Sequence, residues 1–314
     1  MTKRIVVTGS TGFLGRHTMP VLVNKYGQEN VMGLSKKDFD LTDPIQVKKM
    51  FEDCRPDILI HLAAYVGGIG ANNKLPADFF YINNLLTSLV FDYAAKTKIT
   101  KLVYPIGGCC YPSTAQSPMS ENQMWDGYPQ KEWSGYAMAK KGGIVASLAY
   151  KEQYGLNSVV TIPGNMYGEY DNFSFAEAHV IPATIRKFYE AKEKKIDKVT
   201  VWGSGKPQRD FVYAGDVAST FPFFIDSYES SELMNISSGT RTSISELANM
   251  IKELIGYDGE IHWDTSKPDG QMIKILDTSR MKEFGLTCPT SLRDGLKKTI
   301  DWFIKNYDTG NVRL

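Results

Sequence analysis

Short apolar, β-branched runs alternate with longer stretches of helical spacing through the first two-thirds of the chain. Residues 3–8 (KRIVVT) predict a buried strand, 12–26 a helix and 30–34 a second strand. Asp43-Pro44 opens another helix, with Asp at the N-cap and Pro at the first helical position, where a backbone N–H is not needed. Residues 57–64, 101–106 and 158–162 predict further strands, with helical patterns at 75–97 and 134–154 between them. Strands that are apolar on both faces need cover on both sides, so the alternation points to a parallel sheet between helices. The expected fold class is α/β: a Rossmann-type doubly wound parallel sheet with a smaller C-terminal α/β substrate domain.

Beyond about residue 165 the pattern loosens. A helix at 177–195 and a strand at 199–202 are expected, and Ser243-x-x-Glu246 is a capping box that starts a helix to Ile255. A last helix spans about 291–306. Residues 1–165 are expected to form mainly the NAD(P)-binding domain and 166–314 mainly the substrate domain, with the chain free to cross between them. The stretch 192–198 (KEKKIDK) mixes both charge signs, as a solvated helix end does.

Composition narrows the class. A length of 314 residues suggests about two domains. Lys plus Arg number 36 and Asp plus Glu 35, for a net charge of +1. That excludes a global electrostatic footprint for nucleic acid or an anionic membrane, and leaves room for a local basic pocket. No apolar run approaches the roughly 18 residues of a membrane span, and the N-terminal segment does not read as a signal peptide. Four cysteines make no disulfide framework and have no zinc spacing, so no metal and a reduced, cytoplasmic setting are expected.

The first strand runs into Gly9-Ser10-Thr11-Gly12-Phe13-Leu14-Gly15, which opens a helix. The glycines allow a tight turn, close approach of a pyrophosphate and helix–strand packing, and the helix start presents free amides to the phosphates. The alternative is an ordinary glycine-rich turn. An NAD site usually has an acid at the end of the second strand; here Ser35-Lys36-Lys37 stand there, and a hydroxyl with two cations suits the 2′-phosphate of NADP better. Asp40-Leu41 would then border the adenine.

About 120 residues further on, Ser134-Gly135-Tyr136-Ala137-Met138-Ala139-Lys140 begins a helical pattern with Tyr136 and Lys140 on one face. A cation beside a phenol is expected to lower its pKa into working range. With the dinucleotide loop, this pair resembles the extended short-chain dehydrogenases and reductases, in which the Tyr exchanges a proton with a carbonyl oxygen and the Lys holds the nicotinamide ribose.

Five further segments narrow the resemblance: 66–73 (VGGIGANN), 109–112 (CCYP), 170–173 (YDNF) leading to 179–182 (HVIP), 201–205 (VWGSG) leading to 209–211 (RDF), and 266–270 (SKPDG). Together they resemble the GDP-L-fucose synthases, NADPH-dependent 3,5-epimerase–4-reductases of GDP-4-keto-6-deoxy-D-mannose. The resemblance implies that Cys109 and His179 form the acid/base pair of epimerisation. It also implies that Tyr136 protonates the oxygen as hydride reaches carbon 4. By the same resemblance Ala63, Ala64, Pro163, Asn165 and His179 border the cofactor. Gly107, Gly108, Cys109, Asn165, Val180, Lys187, Trp202, Arg209 and Lys274 border the GDP-linked sugar. Trp202 has a bland alternative as a core residue, and Cys54, Cys110 and Cys288 read as structural. The family is typically a homodimer built from the two long helices of each subunit, which the patterns at 75–97 and 134–154 fit.

Two positions depart from the family. Gly107 stands where a catalytic Ser or Thr is expected, and Thr11 where an Arg for the 2′-phosphate is often found. Gly107 and Gly108 leave space beside the sugar, enough for a bulkier 4-keto-heptose such as those of some bacterial capsules or lipopolysaccharides. Three readings follow: a bifunctional epimerase–reductase, a carbon-4 reductase of a related GDP-4-keto sugar, and a catalytically weak NADP-binding sensor or partner subunit.

Overall fold

The structure is a computed structural model that describes residues 3–267 and 269–314; Pro268 of the 266–270 segment lies outside the described residues. In chain order the strands are β1 Ile5–Thr8, β2 Val31–Leu34, β3 Ile58–His61, β4 Lys101–Pro105, β5 Ser158–Pro163, β6 Asn165–Tyr167, β7 Lys198–Trp202, β8 Gln208–Tyr213, β9 Met234–Ile236, β10 Arg241–Ser243, β11 Glu260–Asp264 and β12 Ile273–Lys274. The helices are α1 Phe13–Tyr26, α2 Pro44–Cys54, α3 Ile69–Lys74, α4 Pro76–Lys96, α5 Ser134–Tyr154, α6 Val180–Glu193, α7 Ala214–Asp226, α8 Ile244–Ile255, α9 Ser279–Glu283 and α10 Leu292–Asn306.

Six strands form one parallel sheet in the order β2-β1-β3-β4-β5-β9. Their side chains alternate between two buried layers, as a strand's period of two requires. Val6, Leu59, Leu102 and Val160 pack with Val47, Leu86, Val90 and Ile144 from α2, α4 and α5. Ile5, Val7, Ile58, Ile60, Val103 and Val159 pack with Leu22, Val217, Phe221 and Phe224 from α1 and α7. The chain winds outward from β1 in both directions, so a crevice opens above the C-terminal ends of β1 and β3, the usual binding position in such sheets.

A second layer lies beyond β5. β8 pairs with β10, β12 and β6, β7 pairs with β11, and a separate apolar cluster joins α6, α8 and α10. Ser243 caps α8 through the expected reciprocal bonds with Glu246, and Asp43 caps α2 by accepting from the Ile45 amide. The strand expected over 57–64 ends at His61, because the backbone leaves the sheet at the crevice. Among the described residues no helix is long and apolar enough to cross a membrane.

Candidate active site

The glycine loop has the shape that a pyrophosphate needs. Gly9 has φ +70°, and a Cβ there would stand 2.7 Å from the Ala63 nitrogen, so only glycine lets the loop meet the end of β3. Gly12 is the N-cap of α1 and supplies no side-chain bond. The first-turn amides of Phe13, Leu14 and Gly15 are therefore left for an anion. Residues 9–15 thus fit the diphosphate of a dinucleotide, with Ala63 and Ala64 on the opposite wall beyond β3.

The end of β2 is less open than expected. The Ser35 hydroxyl donates to Asp38 at 2.7 Å, and Lys36 pairs with Asp40 at 3.3 Å. Asp40 also accepts from Thr42, which holds its carboxyl below the usual range, and Leu41 is buried. The nearby acids therefore engage the hydroxyl and one of the two cations expected to hold a 2′-phosphate; Lys37 is exposed.

The chemistry gathers at the C-terminal end of β4. Past Ile106 and Gly107 a tight turn, Gly108–Cys110, carries Cys109. The Cys110 thiol donates to the Ala137 carbonyl at 3.6 Å, which fixes the turn against the first turn of α5 beside Tyr136. The segment after β12 closes the other side. The Leu276 amide donates to buried Asp210 at 3.0 Å, and the Leu276 side chain lies against Gly108. This brings Lys274 to the site, with its ammonium 5.3 Å from the centre of the Trp133 ring.

The electrostatics follow. The neighbouring Cys110 thiol, then the ammonium groups of Lys274 and Lys140, bring the Cys109 thiol down to about 7 against the opposing effect of burial. Burial and the Cys109 thiolate push Cys110 well up, so the two adjacent thiols divide into one reactive and one inert. His179 is the N-cap residue of α6 and opens to solvent at the mouth. Partial desolvation, and then the charge of Lys274, hold the imidazole below its ordinary value.

Tyr136 corrects an expectation. Burial and the charge of Cys109 push its phenol well above the ordinary value, and Lys140 does not bring it down. The buried Lys140 ammonium sits 3.9 Å from the centre of the Tyr104 ring instead. Tyr104 itself is fixed by a 2.6 Å bond between its hydroxyl and that of Thr87. The phenol is a neutral donor here, which suits the protonation step of a reduction.

The outer residues divide. The Arg209 guanidinium is held through one nitrogen by the carbonyls of Gln208 (2.8 Å) and Gln271 (2.7 Å), and β12 pairs Lys274 directly with it. Trp202 is 66% exposed, so it is not a core residue; Lys187 and Lys267 each stand 5.7 Å from the centre of its ring. Lys187 donates to the Thr200 carbonyl at 3.1 Å. The Asn165 amide is used on β8, donating to the Asp210 carbonyl at 3.0 Å. Pro163 ends β5 beside it, and Val180 starts α6 after His179.

Comparison with known proteins decides the family. Residues 5–237 match the NAD dependent epimerase/dehydratase family. GDP-L-fucose synthase 1 of Arabidopsis thaliana is 38% identical over 305 residues, covering 96% of this chain and 94% of that one. The chain belongs to the GDP-L-fucose synthase family. Among solved structures, a GDP-L-fucose synthetase from Naegleria fowleri bound to NADP is similar at TM-score 0.90 and 29% identity, covering 99% of this chain and 95% of that one. A GDP-6-OMe-4-keto-L-xylo-heptose reductase from C. jejuni is similar at TM-score 0.89 and 26% identity, covering 98% and 99%.

Gly107 is the position at which the resemblance to the GDP-L-fucose synthase family leads one to expect a Ser or Thr. Its backbone is extended, with φ −141° and ψ 156°, which any residue adopts, so the turn itself does not call for glycine there. Sequence reasoning missed Tyr104, the ring under Lys140. The Tyr104-Pro105 run reads only as the end of an apolar strand, and nothing in its spacing links it to a lysine 36 residues later.

Proposed function

We propose that this protein reduces the carbon-4 ketone of a GDP-linked 4-keto sugar with NADPH and epimerises carbons 3 and 5 at the same site. One observation carries the reading: a thiol brought to about 7 is fixed against the helix turn that carries a neutral, half-buried phenol. A base near neutrality and a retained acid are the two groups that ketone-activated proton exchange and carbonyl reduction need.

Cys109 as thiolate removes the proton beside the ketone, and His179 at the mouth returns one to the other ring face. Tyr136 hydrogen-bonds the carbonyl oxygen, which makes the neighbouring protons removable, and gives that oxygen its proton on reduction. Bound NADPH supplies the hydride. Lys140, steadied over Tyr104, holds the nicotinamide ribose. Arg209 and Lys274 bind the diphosphate, and their charge stabilises an anion developing beside them.

A second reading has its own support. Gly107 removes the family hydroxyl and leaves room beside the sugar, and a keto-heptose reductase is among the similar structures. On this reading the chain is a carbon-4 reductase of a larger sugar.

The setting is cytoplasmic and the assembly a homodimer. Phe80 and Tyr81 on α4, and Val145 and Leu148 on α5, are each half exposed or more; a second copy of the chain would cover them. The test of the main reading is incubation with GDP-4-keto-6-deoxy-D-mannose and NADPH. Consumption of NADPH with formation of a 4-hydroxy sugar inverted at carbons 3 and 5 supports it; no turnover by a preparation that binds both ligands contradicts it.

A further inference from the structure

The structure assigns the 2′-phosphate of NADP to Arg16, with Thr11 beside it, on the first turns of α1. The assignment rests on NADP as the cofactor proposed above. Arg16 is exposed and folds back along the glycine loop, its Nε donating to the Thr11 carbonyl at 3.1 Å. Its guanidinium lies over the Tyr170 ring, 5.1 Å from the centre. That ring is itself a fixed shelf: Tyr170 is held at φ +69° and packs edge-on against His17 and Trp302. Arg16, Ser10, Thr11 and Tyr170 line an open cavity of about 480 Å³ beside the loop.

Charge, competition and geometry meet at this position. The guanidinium is aimed but not neutralised: among the described residues no carboxylate pairs with it, and its terminal nitrogens make no hydrogen bond. Across the loop Ser35 is engaged by Asp38 and Lys36 by Asp40, which leaves Lys37 as the exposed cation of that flank. Those two acids repel a phosphate that carries about two negative charges, which favours the Arg16 flank. Finally, a planar fork anchored through Nε presents its outer N–H groups in the geometry that a phosphate accepts. The adjacent Thr11 hydroxyl is an additional donor.

The test is calorimetric binding of NADP⁺, NAD⁺ and 2′,5′-ADP to the full chain and to Arg16→Gln and Arg16→Lys. Arg16→Gln is expected to weaken NADP⁺ and 2′,5′-ADP by about ten- to a hundredfold and to leave NAD⁺ within about twofold, with Arg16→Lys in between. Equal weakening of NADP⁺ and NAD⁺ would show that Arg16 only supports the loop through Tyr170, and unchanged NADP⁺ binding would place the phosphate elsewhere; either overturns the assignment. Wild-type protein that binds NAD⁺ as tightly as NADP⁺ would overturn the cofactor reading itself, and the assignment with it.

Discussion

A Cβ built on Gly107 would stand 3.3 Å from Sγ of Cys109 and meet nothing else within 4 Å. The backbone accepts any residue here, so a serine fits if the sulfur yields by a few tenths of an ångström. Gly107→Ser is expected to fold with an unchanged thermal midpoint. It should raise the reduction rate on GDP-4-keto-6-deoxy-D-mannose, because a second donor reaches the ketone oxygen. A fall in rate would favour the larger-sugar reading, in which the glycine makes room.

Tyr136→Phe removes the only proton that the account gives to the carbonyl oxygen. General acid catalysis contributes roughly a hundred- to ten-thousandfold, so reduction is expected to fall by at least a hundredfold while binding of GDP and NADP⁺ is retained. A rate within about tenfold of wild type would assign the proton to another group.

Lys274 acts on both members of the acid/base pair: its charge lowers Cys109 and lowers His179. Exchange at carbons 3 and 5 needs the Cys109 thiolate and a protonated His179, so its rate should follow a bell-shaped pH profile whose two limbs are set by these groups. Removing the charge in Lys274→Met lets the thiol pKa rise, and the acidic limb of the profile is expected to move to higher pH. An unmoved limb, measured by deuterium exchange across the pH range, would mean that Cys110 and Lys140 set the thiolate without Lys274.

Gly143 lies under the ring that carries Lys140: a Cβ there would overlap Tyr104. Gly143→Ala is expected to cost about 1–3 kcal/mol of stability through overpacking, and to reduce turnover by displacing Lys140. Gly108→Ala is the stability control, since its Cβ would meet Leu276 at an ordinary 3.7 Å. Thermal unfolding of the two variants checks the contrast; equal midpoints would show that Tyr104 yields freely.

Much of this was legible in the chain. Short apolar strands buried on both faces, helices with caps at Asp43 and Ser243, and glycines at fixed spacing are local signals, and each lies close to its predicted place. Strand β9, which completes the main sheet, is three residues long and carries no periodicity, so it was not readable. Short strands β6, β10 and β12 take shape only by pairing with β8. At the site, residue identities pointed to the chemistry but charge balance did not. Lys140 turns to a ring rather than to the phenol, and Lys36 is paired by an acid four residues on. Both outcomes depend on which side chains meet in space.

The most direct test of the central claim is incubation of the wild-type protein with GDP-4-keto-6-deoxy-D-mannose in deuterated water, without and then with NADPH. Deuterium is expected at carbons 3 and 5 without NADPH, with loss of that exchange in Cys109→Ser and NADPH consumption when the cofactor is added. NADPH consumption with no deuterium at either carbon would contradict a thiolate base at Cys109 and leave a carbon-4 reductase.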